Sequence, residues 1–187
     1  LADAGFLFCP MGSRDILLEL IEKEINRTAI RALLARGGIM WFDDRYPYGN
    51  AKIAQFMMSL GAPMPGKGVL SKTGHGIDLV PKPGLSHPLI KGQADAMGYE
   101  CWTTWPKGLE VLFVDADMPQ HAGVLIADRV QGHGAVIYAK IVDGWRVERH
   151  EGVRPFIDNV LLRAFGPPPA PGETHPVFDI YRPRTPS

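Results

Sequence analysis

The chain lacks any apolar run approaching the roughly 20 residues that a bilayer-crossing helix requires, so no membrane span is expected within it. It has no surplus of charge either. Twenty Lys and Arg stand against 20 Asp and Glu, which removes the basic footprint of a general nucleic-acid or membrane-surface binder. A small molecule or another protein is the expected partner. Two cysteines, Cys9 and Cys101, are too few for a disulfide framework, and their spacing fits no zinc motif. The six histidines are scattered without the HExxH or CxxC spacing that sets two ligands on one element, so no metal site is expected. Neither a GxSxG elbow nor a glycine-rich phosphate loop with its lysine occurs, which excludes a standard α/β-hydrolase serine and gives no reason to expect a cofactor.

What is present is enough for one full domain. A globular chain of 187 residues can bury roughly 70% of its unfolded surface. The expected division is a domain over residues 1–166 and an extended, linker-like tail over 167–187, opened by PPPAPGETHP. The sequence starts at Leu1 without a basic, signal-like opening and enters the apolar GFLF almost at once. An upstream segment carrying a first strand or a signal peptide is therefore expected.

The run Phe6 to Cys9, stopped by Pro10 and Gly12, reads as a buried strand. Ile16, Leu17, Leu20 and Ile21 recur at helical spacing, and Ile30, Leu33 and Leu34 mark a second helix that stops at Gly37. Ile39 to Phe42 is continuously apolar, as a strand covered on both faces must be. Ile53, Phe56, Met57 and Leu60 predict a third helix ending at Gly61. This β-α-β-α order predicts an α/β sheet of mostly parallel strands. Residues 62–108 are irregular, with short strands near Val69 and Ile77. Then LEVLFVDAD, AGVLIADRV and GAVIYAKIV predict three strands, the last two joined through QGHG as an antiparallel hairpin at the sheet edge. Pro155 suits the first turn of a last helix, Phe156 to Phe165.

Open α/β sheets bind ligands beyond the carboxyl ends of their strands, which singles out Asp43 and Asp44 at the end of GGIMWFDD. A carboxylate there can act as general base, metal ligand or hydroxyl acceptor; the plainer reading is a solvated pair beside Arg45. Asp115 and Asp117 in VDAD repeat the arrangement at a second strand end, where turn chemistry is the stronger expectation. His150, beside Glu151 between the last strand and the last helix, is a candidate base, against an exposed loop pair beside Arg149. Trp102 and Trp105 in CWTTWP offer aromatic faces with hydroxyls between them, suited to a sugar, a protein surface, or the packing of an irregular loop. Cys9 ends a strand before a helix, but CPMGSR is one residue short of a cysteine-phosphatase loop, so a small buried hydrophobe is expected there.

The segments LARGGIMWFDD, SHPLIKG, and GHGAVIYAKIVDGW followed by RPFIDNVLLRAF resemble the class I glutamine amidotransferase-like superfamily, in particular its ThuA-like branch and related exported domains, over about residues 3–166. The resemblance implies a flavodoxin-like three-layer sandwich that lacks its first strand, and it favours an exported or periplasmic location. Amidotransferases hold their nucleophilic cysteine in the turn after the strand matching Ile39 to Phe42. Asp43 and Asp44 stand in that turn here, which argues against glutamine hydrolysis and leaves His150 and Glu151 without an inherited task. The resulting expectation is a non-catalytic domain that binds a small polar ligand or a protein partner, or that serves as a subunit of a larger assembly. The alternative is a hydrolase of a carbohydrate-like substrate, with Asp43 or Asp44 as base, His150 assisting, and CWTTW lining the site.

Overall fold

In a computed structural model, the structure describes residues 5–10, 13–43, 50–66, 68–70, 76–141 and 151–166. Asp44, His150 and the segment 167–187 lie outside the described residues.

The first half of the chain alternates strands and helices as its apolar periodicity predicts. Strand β1 (Phe6–Cys9) leads into α1 (Arg14–Glu22), which buries Leu17 and Ile21. At Lys23 the backbone becomes extended for one residue, and α2 (Glu24–Ala35) follows, burying Ile30, Leu33 and Leu34. The helix stops where Gly37 adopts φ +92°, a conformation that costs glycine nothing, and Gly38 N–H donates to Leu33 O at 2.9 Å. Strand β2 (Ile39–Phe42) is buried along its whole length. Helix α3 (Ala51–Ser59) is capped by Asn50, whose side-chain oxygen accepts from the Lys52 and Ile53 amides.

Beyond α3 the alternation stops. Strands β3 (Val69–Leu70) and β6 (Glu100–Cys101) form a small antiparallel pair. The main sheet takes in β4 (Ile77–Pro81), β5 (Ala96–Gly98), β7 (Glu110–Asp115), β8 (Ala122–Val130) and β9 (Gly134–Ala139). Its order is β1-β2-β9-β8-β7-β4-β5. Only β1–β2 and β2–β9 are parallel; the other four pairings are antiparallel.

The sheet is therefore mixed, and the expectation of a mostly parallel one is corrected. A parallel neighbour needs a crossover of a dozen or more residues, usually a helix. The connections from β7 to β8 and from β8 to β9 are short turns, so those strands must run antiparallel. The β8–β9 hairpin forms as expected, with Arg129, Gln131 and Gly132 at positive φ, but it lies inside the sheet and not at its edge. The edges are β1 and β5.

Helices cover both faces. On one, α1, α2 and α3 pack over Met40, Phe42, Val136 and Tyr138. On the other, α4 (Arg154–Phe165) sets Phe156 and Val160 against Trp41, Phe113 and Ile137. Phe156 meets both Trp41 and Phe113 edge to face at 5.4 Å, the arrangement aromatic quadrupoles favour. Leu162 of α4 faces outward and is 47% exposed.

The SHPLIKG segment has a structural task in holding α4. Pro88–Ile90 forms a single 3-10 turn, with the His87 ring accepting from Leu89 N–H. Asn159 on α4 donates to both Leu89 O and Lys91 O. Gln93 accepts from Phe156 N–H at 3.0 Å, satisfying an amide of the first helical turn.

Candidate functional site

Strand directions decide which residues share an edge. Because β8 is antiparallel to both β9 and β7, strand β7 runs the same way as β9, β2 and β1, and β5 does too, being antiparallel to β4. The ends of five strands thus converge: Cys9, Asp43, Lys140, Asp115 and Tyr99 lie at or just beyond them. His121 joins the same edge from the start of β8.

The sheet also closes over this edge. Tyr99 N–H donates to Lys140 O at 3.0 Å, bringing the end of β5, last in the sheet order, back onto the end of β9. Trp102 then pairs with Ala122 through two backbone hydrogen bonds, each 2.8 Å.

Asp43 is 1% exposed. Its amide donates to Cys9 O at 2.9 Å, and its Oδ1 accepts from Ile141 N–H at 2.9 Å. The carboxylate therefore ties the end of β2 to the residue that follows Lys140 and satisfies a buried donor just past β9. Asp115 works similarly at the end of β7. It is 6% exposed, and its Oδ1 accepts from the amides of Asp117 and Met118, closing the turn into β8. Its other oxygen is 3.9 Å from His121 Nδ1. Asp117 is exposed and contributes its backbone to that turn.

The two tryptophans separate. Trp102 is 1% exposed, packs in the core with Phe42 and Tyr138, and donates from Nε1 to Gly66 O at 2.9 Å. Its ring has no face open to a sugar. Trp105 is partly buried against the same core, so stacking on a ligand falls to Trp105 alone.

Both cysteines are buried, and neither is in a disulfide. Burial, with the charges of Asp115 and Glu100 adding to it, pushes the Cys101 thiol up to about 12, which keeps it protonated and unreactive at neutral pH.

Two residues of this edge carry no weight in the sequence reading. Glu100 is 1% exposed and lies against the backbone of Gly68, where a Cβ would meet its Oε1 at 2.6 Å. Lys140 is 8% exposed, and its ammonium makes no hydrogen bond and no ion pair within 4.0 Å among the described residues. Tyr99 fixes its carbonyl and Asp43 fixes the amide of its successor. The sequence does carry a signal for it: a single charge interrupts the otherwise apolar run AVIYAKIV. Strand ends are ordinary places for charges, so that interruption reads as a boundary unless the partners are visible.

No family model matches the sequence, and no curated protein matches it. Solved structures do. A ThuA-like protein from Bacteroides uniformis superposes with a TM-score of 0.55 at 14% identity, covering 88% of this chain and 70% of that one. A cytoplasmic protein from Salmonella typhimurium superposes with a TM-score of 0.50 at 12% identity, covering 83% of this chain and 69% of that one. The chain has the fold of the ThuA-like proteins.

Proposed function

We propose that residues 1–166 form a non-catalytic ThuA-like domain that binds a small polar ligand at the carboxyl edge of its sheet. The observation that carries this reading is the meeting of buried ionisable groups there: Asp43, Glu100, Asp115 and Lys140, each at most 8% exposed, on or beside strand ends that share one edge. Burying a charged group is costly unless it is paired or hydrogen-bonded, and such groups gather where a fold needs a polar partner. Position supports it too, since open α/β sheets receive ligands beyond the carboxyl ends of their strands.

Binding is favoured over catalysis by what Asp43 is doing. A general base must reach the proton it takes, within about 3 Å or through one water. Asp43 is sealed from solvent and spends Oδ1 on a backbone amide. The hydrolase reading has no comparable observation in its favour.

The test is a two-dimensional amide spectrum of the labelled protein, recorded against a panel of small polyols, organic acids, amino acids and phosphoesters. Shifts should centre on Tyr99, Lys140 and Ile141. A panel that perturbs nothing there, or that perturbs only Leu7, Phe8 and Leu17, which line an apolar groove between β1 and α1, rejects the reading.

A further inference from the structure

Resting on that reading of the carboxyl edge, we propose that Lys140 is its anion receptor, taking a carboxylate or phosphate group of the ligand. The residue is more than nine-tenths buried, yet no carboxylate among the described residues lies within ion-pair distance of its ammonium. Three buried acids occupy the same edge, and two of them have identified tasks elsewhere. Asp43 accepts from the Ile141 amide, and Asp115 accepts from the amides of Asp117 and Met118. Glu100 lies against Gly68.

The lysine backbone is also held more firmly than a solvated surface charge requires. Tyr99 N–H donates to its carbonyl at 3.0 Å, and the next amide donates to Asp43 at 2.9 Å. Segments remote in sequence therefore fix where the side chain begins. An ammonium presented in this way lacks only an acceptor, and an anionic oxygen supplies it with a hydrogen bond stronger than a neutral pair makes. The surrounding acids select what else the ligand carries. An anion flanked by hydroxyl or amino groups can donate to them, whereas a bare polyanion meets their repulsion.

A structural role for Lys140, as counter-charge to the neighbouring acids, makes the opposite forecast for one variant. Removing one partner of a buried ion pair leaves an uncompensated charge and destabilises strongly, whereas an unpaired ion held out of water carries a desolvation cost that an apolar chain does not. Lys140→Met should therefore melt at the temperature of the parent protein or above it. In amide spectra at constant ionic strength, inorganic phosphate or acetate should shift Tyr99 and Ile141 saturably in the parent. The affinity should weaken by roughly tenfold or more in Lys140→Met, the factor a charge-assisted hydrogen bond carries, and persist in Lys140→Arg. Response to phosphate alone assigns a phosphoester; response to acetate assigns a carboxylate.

A marked fall in melting temperature for Lys140→Met overturns the proposal in favour of the counter-charge. Equal anion affinity in Lys140→Met, or no saturable shift with either anion, overturns it as well. If uncharged polyols shift the same amides equally in the parent and in Lys140→Met, the ligand edge stands and the anion receptor falls.

Discussion

The two edges of the sheet handle polar and close-packed groups in opposite ways. At the edge where β2 and β9 begin, two glycines let helix α2 press against the strands. A Cβ on Gly134 would come within 2.5 Å of Leu34 O, and one on Gly38 within 2.6 Å of the Leu33 side chain. Asp128 there is paired near the surface: it bonds to Arg163 on α4 and lies 3.8 Å from His87. At the carboxyl edge Asp43, Glu100, Asp115 and Lys140 are buried, and Lys140 has no counter-ion among the described residues. One edge is closed by fit and by compensated charge. The other leaves one charge uncompensated, at the position where we propose that the ligand is met.

The largest expected effect breaks the closed edge. Gly134→Val places a branched side chain where Leu34 backbone atoms stand 2.5 to 2.9 Å away, and backbone cannot swing aside as a side-chain tip can. Overpacking of this kind costs about 3 kcal/mol, at the upper end of the usual range. Chemical denaturation should show it as a lower midpoint with an unchanged slope. A midpoint within error of the parent would mean that α2 does not press on β9 as described.

A smaller loss should follow at the carboxyl edge from Asp43→Ala. The Ile141 amide then loses its acceptor in a buried setting, at a cost of about 2 kcal/mol. Asp43→Asn keeps an oxygen in place and should recover most of that loss. If the asparagine variant is as damaged as the alanine one, the negative charge is what matters, and the hydrogen bond from Ile141 is not the whole of what Asp43 does for the fold.

How far the sequence carried these assignments depended on whether the information was local. The three helices of the first half and the strand Ile39–Phe42 are legible because periodicity and glycine stops are written within a dozen residues. The β8–β9 hairpin is legible too, through QGHG; the short connection from β7 to β8 also implies antiparallel pairing, which the expectation of a mostly parallel sheet passed over. The insertion of β9 between β2 and β8 is not legible, because strand order is set by long-range pairing that no local pattern encodes. The site divides in the same way. Asp43 stood out by its place at a strand end, but its bond to Ile141 joins residues nearly a hundred positions apart. Trp102 and Trp105 look equivalent in CWTTWP, and only packing tells the core residue from the partly exposed one. Lys140 and Glu100 gain meaning from neighbours brought in from other strands.

The smallest effect sharpens the contrast through pH. Burial on its own would raise the Asp128 carboxyl, but the hydrogen bond from Arg163, the Arg129 amide and the charges of Arg163 and His87 together outweigh it, and the group is held below the usual carboxylate range. A carboxyl depressed on folding contributes stability that is fully present above its unfolded value and is lost as the pH falls through the folded one. Asp128→Asn should therefore cost under about 1 kcal/mol at neutral pH, as partly exposed pairs do, and should remove part of the acid-side decline in melting temperature. Arg163→Met should reproduce both changes and add little to them when combined, because the two residues share one interaction. Additive losses in the double variant would show that Asp128 and Arg163 act through separate partners, and the closed edge would then be held mainly by its glycine contacts.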